Sequence, residues 1–191
     1  MKNYNSADSR FQATPQYNGN IQASMWQVAG RNVQGYGYTY DELDRLTDAK
    51  YFDLTNASNK GTNTTIFSND FKFNEKATYD VRGNITFLQR NGWKLPAFSL
   101  TDDVAANYGA IDNLKYTYND QNQVTKIKDD LGTAFLTKGF KFANNSATSD
   151  YGYDDNGNMI FDNNKGITKV TYNHLNLPCE ITFTEIGRAH V

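Results

Sequence analysis

The stretch Tyr151-Gly152-Tyr153-Asp154-Asp155-Asn156-Gly157-Asn158-Met159 decides how this chain is read, because the chain keeps rewriting it. Tyr38-Thr39-Tyr40-Asp41-Glu42-Leu43-Asp44-Arg45-Leu46 is one earlier copy, and Ala77-Thr78-Tyr79-Asp80-Val81-Arg82-Gly83-Asn84-Ile85 is another. Tyr116-Thr117-Tyr118-Asn119-Asp120-Gln121-Asn122-Gln123-Val124 is a third. Val170-Thr171-Tyr172-Asn173-His174-Leu175-Asn176-Leu177-Pro178 ends the series more loosely. The tyrosine that precedes Asp or Asn falls at 40, 79, 118, 153 and 172, with gaps of 39, 39, 35 and 19 residues. These are close to one or two units of about 20 residues, a period that marks a repeat array.

Aligning the copies on that tyrosine shows what one of them builds. The next residue is always Asp or Asn: Asp41, Asp80, Asn119, Asp154 and Asn173. Four beyond the tyrosine stand Asp44, Gly83, Asn122, Gly157 and Asn176, the three residue types that enter left-handed backbone conformation at least cost. Six beyond, an apolar residue resumes: Leu46, Ile85, Val124, Met159, Pro178. An aromatic strand therefore enters, a tight turn follows and a second strand leaves. The unit is a β-hairpin, with Asp or Asn side chains bonding the turn backbone. On the entering strand Tyr38 and Tyr40 share a face, as do Tyr116 with Tyr118 and Tyr151 with Tyr153. On the leaving strand, apolar residues six and nine beyond the tyrosine (Ile85 and Leu88, Val124 and Ile127) have opposite parity. Either both faces are partly covered or a bulge intervenes.

These residues resemble the YD repeat of RHS proteins. The match is close for Tyr38–Leu46, Ala77–Gly92 and Tyr151–Phe183, and weaker for Tyr116–Ile127, where Asn122-Gln123 replaces the usual Gly-Arg or Gly-Asn. Asn18-Gly19-Asn20-Ile21 resembles a degenerate earlier copy, so the likeness covers most of Tyr17–Phe183. The Asn-, Lys- and Tyr-rich wording is similar to that of RHS proteins of Bacteroidota. The tail Ile186-Gly187-Arg188-Ala189-His190-Val191 resembles the translation of a common short-read sequencing adapter. Residues 185–191 are therefore read as non-native and kept out of the fold expectation.

Composition agrees with an all-β array. The chain has 191 residues, 19 basic and 21 acidic, for a net charge of −2, which is no footprint for nucleic acid or an anionic membrane. Only 38% of residues are hydrophobic, yet 13 Tyr and 12 Phe lift the aromatic share to 14%. With 14 Gly, that balance favours strands over helices. Disordered chains are poor in aromatics, so disorder competes best in the polar lead-in Met1–Gln16. Cys179 is the only cysteine, so no internal disulfide forms. No stretch has the length of a membrane span. Met1–Gln16 lacks the apolar core of a signal peptide, which carries no weight if Met1 lies inside a longer frame.

Taken in order, Tyr17–Gln27 reads as a hairpin turning at Asn18-Gly19, with Ile21, Ala23 and Met25 on one face and Trp26 a packing residue. Ala29–Asn32 reads as a turn, Gly35–Tyr51 as the first clear repeat and Phe52–Asn63 as a long polar loop. Thr64–Phe67 and Phe71–Phe73 read as short strands, and Asn91-Gly92 as a turn. Trp93–Ala110 reads as loop, with a helical turn over Asp102–Tyr108 the competing assignment. Leu114–Tyr118 and Val124–Lys128 read as strands around the third copy, followed by the turn Asp130-Leu131-Gly132. Phe135–Phe142 reads as strand with Gly139 a bulge, and Ala143–Asp150 as loop. The turn Asn163–Gly166 precedes strands Ile167–Tyr172 and Glu180–Phe183. No window supports a helix beyond about three turns.

Candidate sites have plainer explanations beside them. Asp154–Asn158 invites calcium, but an EF-hand loop begun at Asp154 puts Met159 at the glycine position and Lys165 at the final glutamate. A hairpin turn explains the same residues. His174 and Cys179 flank one turn but lack the third group a catalytic pair needs. Asp102-Asp103 and Asp129-Asp130 would serve as glycosidase carboxylates only at about 5 Å or 6.5–9.5 Å from one another. Solvated loop charges are the plainer reading. The tyrosines' regular spacing points to repeat core before sugar stacking. No phosphate loop and no metal-spaced Cys/His cluster occurs, so no catalytic residue, cofactor or metal is assigned. The motif residues read as structural, Arg45, Asn84 and Asn158 among them.

The expectation is one continuous array over 17–184. The RHS resemblance implies that such hairpins spiral into a hollow shell enclosing a C-terminal toxin or effector. The chain's partners would then be the rest of the same polypeptide and its cargo, at a secreted or cell-surface location. The family's self-cleaving aspartates fall outside the matched stretch. The alternative is a module that binds carbohydrate or a cell surface through exposed Tyr and Asn. An enzyme is the third class, with no residues to carry it.

Overall fold

The computed structural model describes residues 16–30, 32–59, 62–68, 71–96, 104–132, 134–135, 137–142, 148–184 and 187–190, with backbone alone at 54–59, 62–68, 105 and 187–190. These residues form antiparallel strands in two sheets. The strands are β1 (Ala23–Gln27), β2 (Val33–Tyr40), β3 (Leu46–Asn59), β4 (Thr62–Ser68), β5 (Glu75–Tyr79), β6 (Ile85–Trp93), β7 (Tyr108–Tyr118), β8 (Val124–Asp129), β9 (Tyr151–Tyr153), β10 (Met159–Asp162), β11 (Ile167–Tyr172), β12 (Pro178–Phe183) and β13 (Gly187–His190). Two single 3₁₀ turns, Ala105–Asn107 and Asn163–Lys165, are the only helical residues among those described. None is long and apolar enough to cross a membrane. The all-β expectation holds.

The chain divides into two compact units, 1–78 with 88–111 and 79–87 with 112–191. In the first, strand order runs β1-β2-β3-β5-β6-β7, with β4 also on β3. A row of rings set edge to face runs along it, buried at Tyr51 and Tyr108 and exposed at Phe73. Tyr36, Tyr51, Phe73, Tyr108 and Trp93 follow one another at centroid spacings of 5.6, 5.2, 5.3 and 5.1 Å. Such pairs add about 0.5–1.5 kcal/mol each beyond the area they bury. Trp26 lies against Tyr36 at 5.8 Å but is 40% exposed, so the packing role expected of it is met only in part. Lys72 is buried and holds its ammonium 5.0 Å from the Tyr108 ring centre, an attraction that offsets its lost hydration.

In the second unit β7 pairs with β8, and a second sheet runs β13-β12-β11-β10-β9. Leu114 and Val170 are its buried aliphatic residues among those described. Strand β13 pairs with β12 from Phe183↔Gly187 to Glu180↔His190, so residues set apart in the sequence reading take strand form.

A bulge resolves the parity of the leaving strands. Tyr40 faces Leu46 but Thr39 faces Asp48, so Thr47 is extra. The same slip leaves Thr125, Ile160 and Cys179 extra in three later hairpins. Each lies seven beyond the motif tyrosine, and each brings residues six and nine beyond onto one face. Val124 and Ile127 accordingly pair with Tyr118 and Tyr116. Thr47 and Thr125 also donate their hydroxyls at 3.2 Å to the carbonyls of Thr39 and Thr117.

Four expectations need correction. Phe52–Asn63 is mostly strand: β3 runs on to Asn59 and pairs in register with β4, Asp53↔Ser68 to Asn59↔Thr62. Backbone pairing there is set by a partner strand that polar composition conceals. Asn91-Gly92 is no turn but lies inside β6. The Asn91 backbone N–H bonds to Asn74 O and its side chain to Phe71 O, both at 2.8 Å. Phe71–Phe73 is a turn with Phe71 at φ 52°. Phe135–Phe142 is turn where described: Lys138 N and Gly139 N both bond to Phe135 O, and Phe140 N to the Asp112 carboxylate. Local acceptors thereby take the N–H groups a ladder would need. In Trp93–Ala110, residues 97–103 lie outside those described, 105–107 are the 3₁₀ turn, and β7 starts at Tyr108.

Candidate functional site

The five motif turns are built alike. The first turn residue, Asp or Asn, accepts two backbone N–H groups on Oδ1. Asp41 takes those of Leu43 and Arg45 at 2.9 and 3.0 Å, and Asp80 those of Arg82 and Asn84 at 2.9 Å. Asn119 takes Gln121 and Gln123 at 3.0 and 2.9 Å. Asp154 takes Asn156 and Asn158 at 3.0 and 2.8 Å, and Asn173 takes Leu175 and Leu177 at 2.9 and 3.1 Å. The fourth turn residue has positive φ every time: Asp44 61°, Gly83 91°, Asn122 63°, Gly157 84°, Asn176 57°. Both features match the sequence reading.

The motif tyrosine does something the sequence did not disclose. Its hydroxyl donates to a backbone carbonyl of the preceding copy. Tyr118 bonds Ile85 O at 2.8 Å, Tyr153 bonds Val124 O at 3.0 Å and Tyr172 bonds Met159 O at 2.7 Å. Each acceptor is the apolar residue six beyond the previous tyrosine. Tyr40 bonds Ile21 O at 2.8 Å, which gives Asn18–Ile21 the same place in the series, with Gly19 at φ 95°. Burial pushes the phenols of Tyr118 and Tyr153 above their ordinary range, with Tyr116 and Asp162 respectively adding to it. They stay protonated donors at neutral pH. Of the outer tyrosines, Tyr38 shares a 2.9 Å bond with Ser24 Oγ and Tyr151 accepts from Asn164 Nδ2 at 3.0 Å.

The three Asp-led turns titrate. The Arg45 backbone N–H holds Asp41 below the usual carboxylate range, and the side-chain amides of Asn84 and Asn158 do so for Asp80 and Asp154. A carboxyl depressed by folding contributes stability that is complete above its unfolded pKa, about 4, and is lost as pH falls through the lower folded value. Stability should therefore drop on acidification below about pH 4. The triple variant D41N/D80N/D154N keeps every Oδ1 acceptor, as Asn119 and Asn173 already do, and should flatten that acid limb in Tm measured from pH 7 to 2. An acid limb unchanged in the variant would refute the assignment.

The remaining candidates do not converge. Asp154 spends its carboxylate on its own turn, with Oδ2 taking Asn158 Nδ2 at 3.0 Å. Asp162 is buried and caps the Asn163–Lys165 turn. Among the described residues no group of three or more His, Cys, Asp or Glu is placed to hold a metal. His174 and Cys179 are both exposed. Asp130 pairs with Lys115 at 2.6 Å and Lys128 at 3.6 Å, whereas Asp129 is buried and bonded to backbone. Asp102-Asp103 lie outside the described residues. A cleft of about 540 Å³ lies in the second unit, lined by Asn119, Gln121, Gln123, Thr125 and residues 151–157.

Matched against protein-family models and against curated proteins, the chain meets no counterpart. What its fold and turns define is an all-β chain of antiparallel hairpins carrying a recurrent Tyr-Asx turn.

Proposed function

We propose that the chain is a structural segment of an RHS-type β-shell that encloses a C-terminal toxin or effector cargo, with no catalytic activity of its own. The observation that supports this is where the motif's polar atoms go. The Asx side chain is taken up by its own turn in all five copies, and four tyrosine hydroxyls fasten a hairpin to the one before it. The most repeated residues thus serve construction. A wall needs that, and an active site does not. The mechanism is enclosure: a copy adds two strands, four of the five copies also carry the tyrosine fastening, and copy number sets the extent of the wall. The partners are the remainder of the polypeptide and its cargo, and the location is secreted or cell-surface. The test is to sequence the source gene past codon 184 and image its full product by electron microscopy. Further Tyr-Asp hairpins, a divergent C-terminal domain and a hollow particle are expected. A gene that stops at codon 191, or a solid particle, would overturn the reading.

The cleft favours a second reading, a carbohydrate- or cell-surface-binding module. Its lining offers Gln121, Asn156 and the Tyr151 ring, a set suited to hydroxylated ligands. Glycan binding abolished by Tyr151→Ala at unchanged Tm would put this reading first.

A further inference from the structure

Six turns in order carry Gly19-Asn20, Asp44-Arg45, Gly83-Asn84, Asn122-Gln123, Gly157-Asn158 and Asn176-Leu177 as fourth and fifth residues. Gly-Asn alternates without exception with Asx followed by a larger residue. The structure gives the alternation a physical meaning. Asn20 Nδ2 donates to Asp44 Oδ1 at 2.9 Å, Asn84 Nδ2 to Asn122 Oδ1 at 3.2 Å and Asn158 Nδ2 to Asn176 Oδ1 at 3.0 Å. The third residue of each Gly-Asn turn reaches the same oxygen. Asn18 donates to Asp44 Oδ1, Arg82 to Asn122 Oδ1 at 3.1 Å and Asn156 to Asn176 Oδ1 at 3.4 Å. A Gly-Asn turn is thus a two-pronged donor, and the Asx turn beside it supplies one acceptor held at positive φ.

The fifth residue also bonds the first residue of its own turn, in the donor turns (Asn84 to Asp80, Asn158 to Asp154) as in two of the acceptor turns. Arg45 folds back on Asp41 at 2.6 Å, and Gln123 accepts from Asn119 at 2.7 Å. Gln123 reaches toward the turn that follows. A Cβ on Gly157 would lie 3.3 Å from its amide nitrogen. That atom ends a flexible side chain and can give way, so the positive φ of 84° is the stronger reason for glycine at this position.

We infer that this alternation is a recognition code between turns: a Gly-Asn turn accepts as neighbour a hairpin whose turn carries Asp or Asn at its fourth position, and rejects one of its own kind. The surface is the third and fifth turn residues, and the partner is another hairpin turn of this chain. Gly in place of a side chain at positive φ relieves backbone strain, whereas loss of the acceptor strands two donors. Those opposing terms supply the test. Asn176→Gly is introduced into the full chain and into N156A/N158A, where no donor remains. The substitution should raise Tm in N156A/N158A and be less favourable in the parent by roughly 2–4 °C. Equal effects in the two backgrounds would overturn the code. Should the triple variant fail to fold, side-chain amide exchange of Asn158 decides in the parent and N176G alone. One of its two amide protons should exchange several-fold faster in N176G, and unchanged exchange of both would refute the pairing.

Discussion

Gly35→Ala is expected to remove about 3 kcal/mol of stability, the upper end for overpacking, and to lower Tm by roughly 10 °C. Gly35 sits in β2 opposite Phe52, which is buried, and the Phe52 ring lies across it. A Cβ there would come 2.9 Å from Phe52 Cε2 and closer still to Phe52 Cζ and to the carbonyl oxygen of Ser24. The ring has rotamers to change; the carbonyl belongs to the paired backbone of β1 and has none. Gly152 supplies the contrast. It faces Phe161, and the three atoms nearest its added Cβ all belong to that ring, Cδ1 at 2.6 Å, Cζ at 2.7 Å and Cε1 nearer. Phe161→Leu should therefore rescue much of the loss in Gly152→Ala, while Phe52→Leu should leave Gly35→Ala unrescued. Thermal unfolding of the four variants and their two doubles checks this. A Gly35→Ala chain melting within about 2 °C of the parent would show that β1 is free to move away.

These glycines also mark where the sequence stops being legible. Tyr-Asx followed by a residue suited to positive φ gave five turns, because turn chemistry is local and each requirement is met within six residues. The partner of an extended residue is not local. Nothing local to Gly35 or Gly152 names a partner, yet each is a seat for a ring from the strand opposite. Asn91-Gly92 shows the converse: a dipeptide with strong turn propensity is held in β6 because Asn74 and Phe71 take up the asparagine. The bulge seven beyond four of the tyrosines was half visible, as a parity conflict with no indication of which residue was extra. The tyrosine hydroxyl was invisible, since its acceptor is a backbone carbonyl about one repeat earlier and carries no side-chain signature. The turn-to-turn code lay in plain sight in the alternation of Gly-Asn with Asx, but only the side-chain directions show that one donates to the other.

Asp129 carries the second large effect, and it bears on function. Read in the sequence with Asp130, it looked like one of two solvated acids. In the structure the neighbours part company: Asp130 is in the following turn with its lysines, and Asp129 ends β8 at 5% exposure. Its Oδ1 accepts the backbone N–H groups of Asn113 and Leu131, both at 3.0 Å, while its carbonyl takes that of Gly132 at 3.1 Å. One oxygen thus closes the end of the β7–β8 hairpin by satisfying donors from both sides of it. Asp129→Ala leaves two N–H groups without their acceptor, at about 1–3 kcal/mol each where water cannot replace it. A net loss of about 3 kcal/mol is expected, since some water will enter. Asp129→Asn keeps the accepting oxygen and should cost about 1 kcal/mol or less. A charge-dependent role predicts the reverse grouping, with Asn as damaging as Ala. Chemical denaturation of the two variants beside Asp130→Ala separates the cases. Asn close to the parent and Ala far from it means that this buried acid is an acceptor for backbone, the same use to which the chain puts Asp41, Asp80 and Asp154 at its turns. Asn and Ala equally destabilised would mean that the charge itself matters, and would return Asp129 to the candidates for a site.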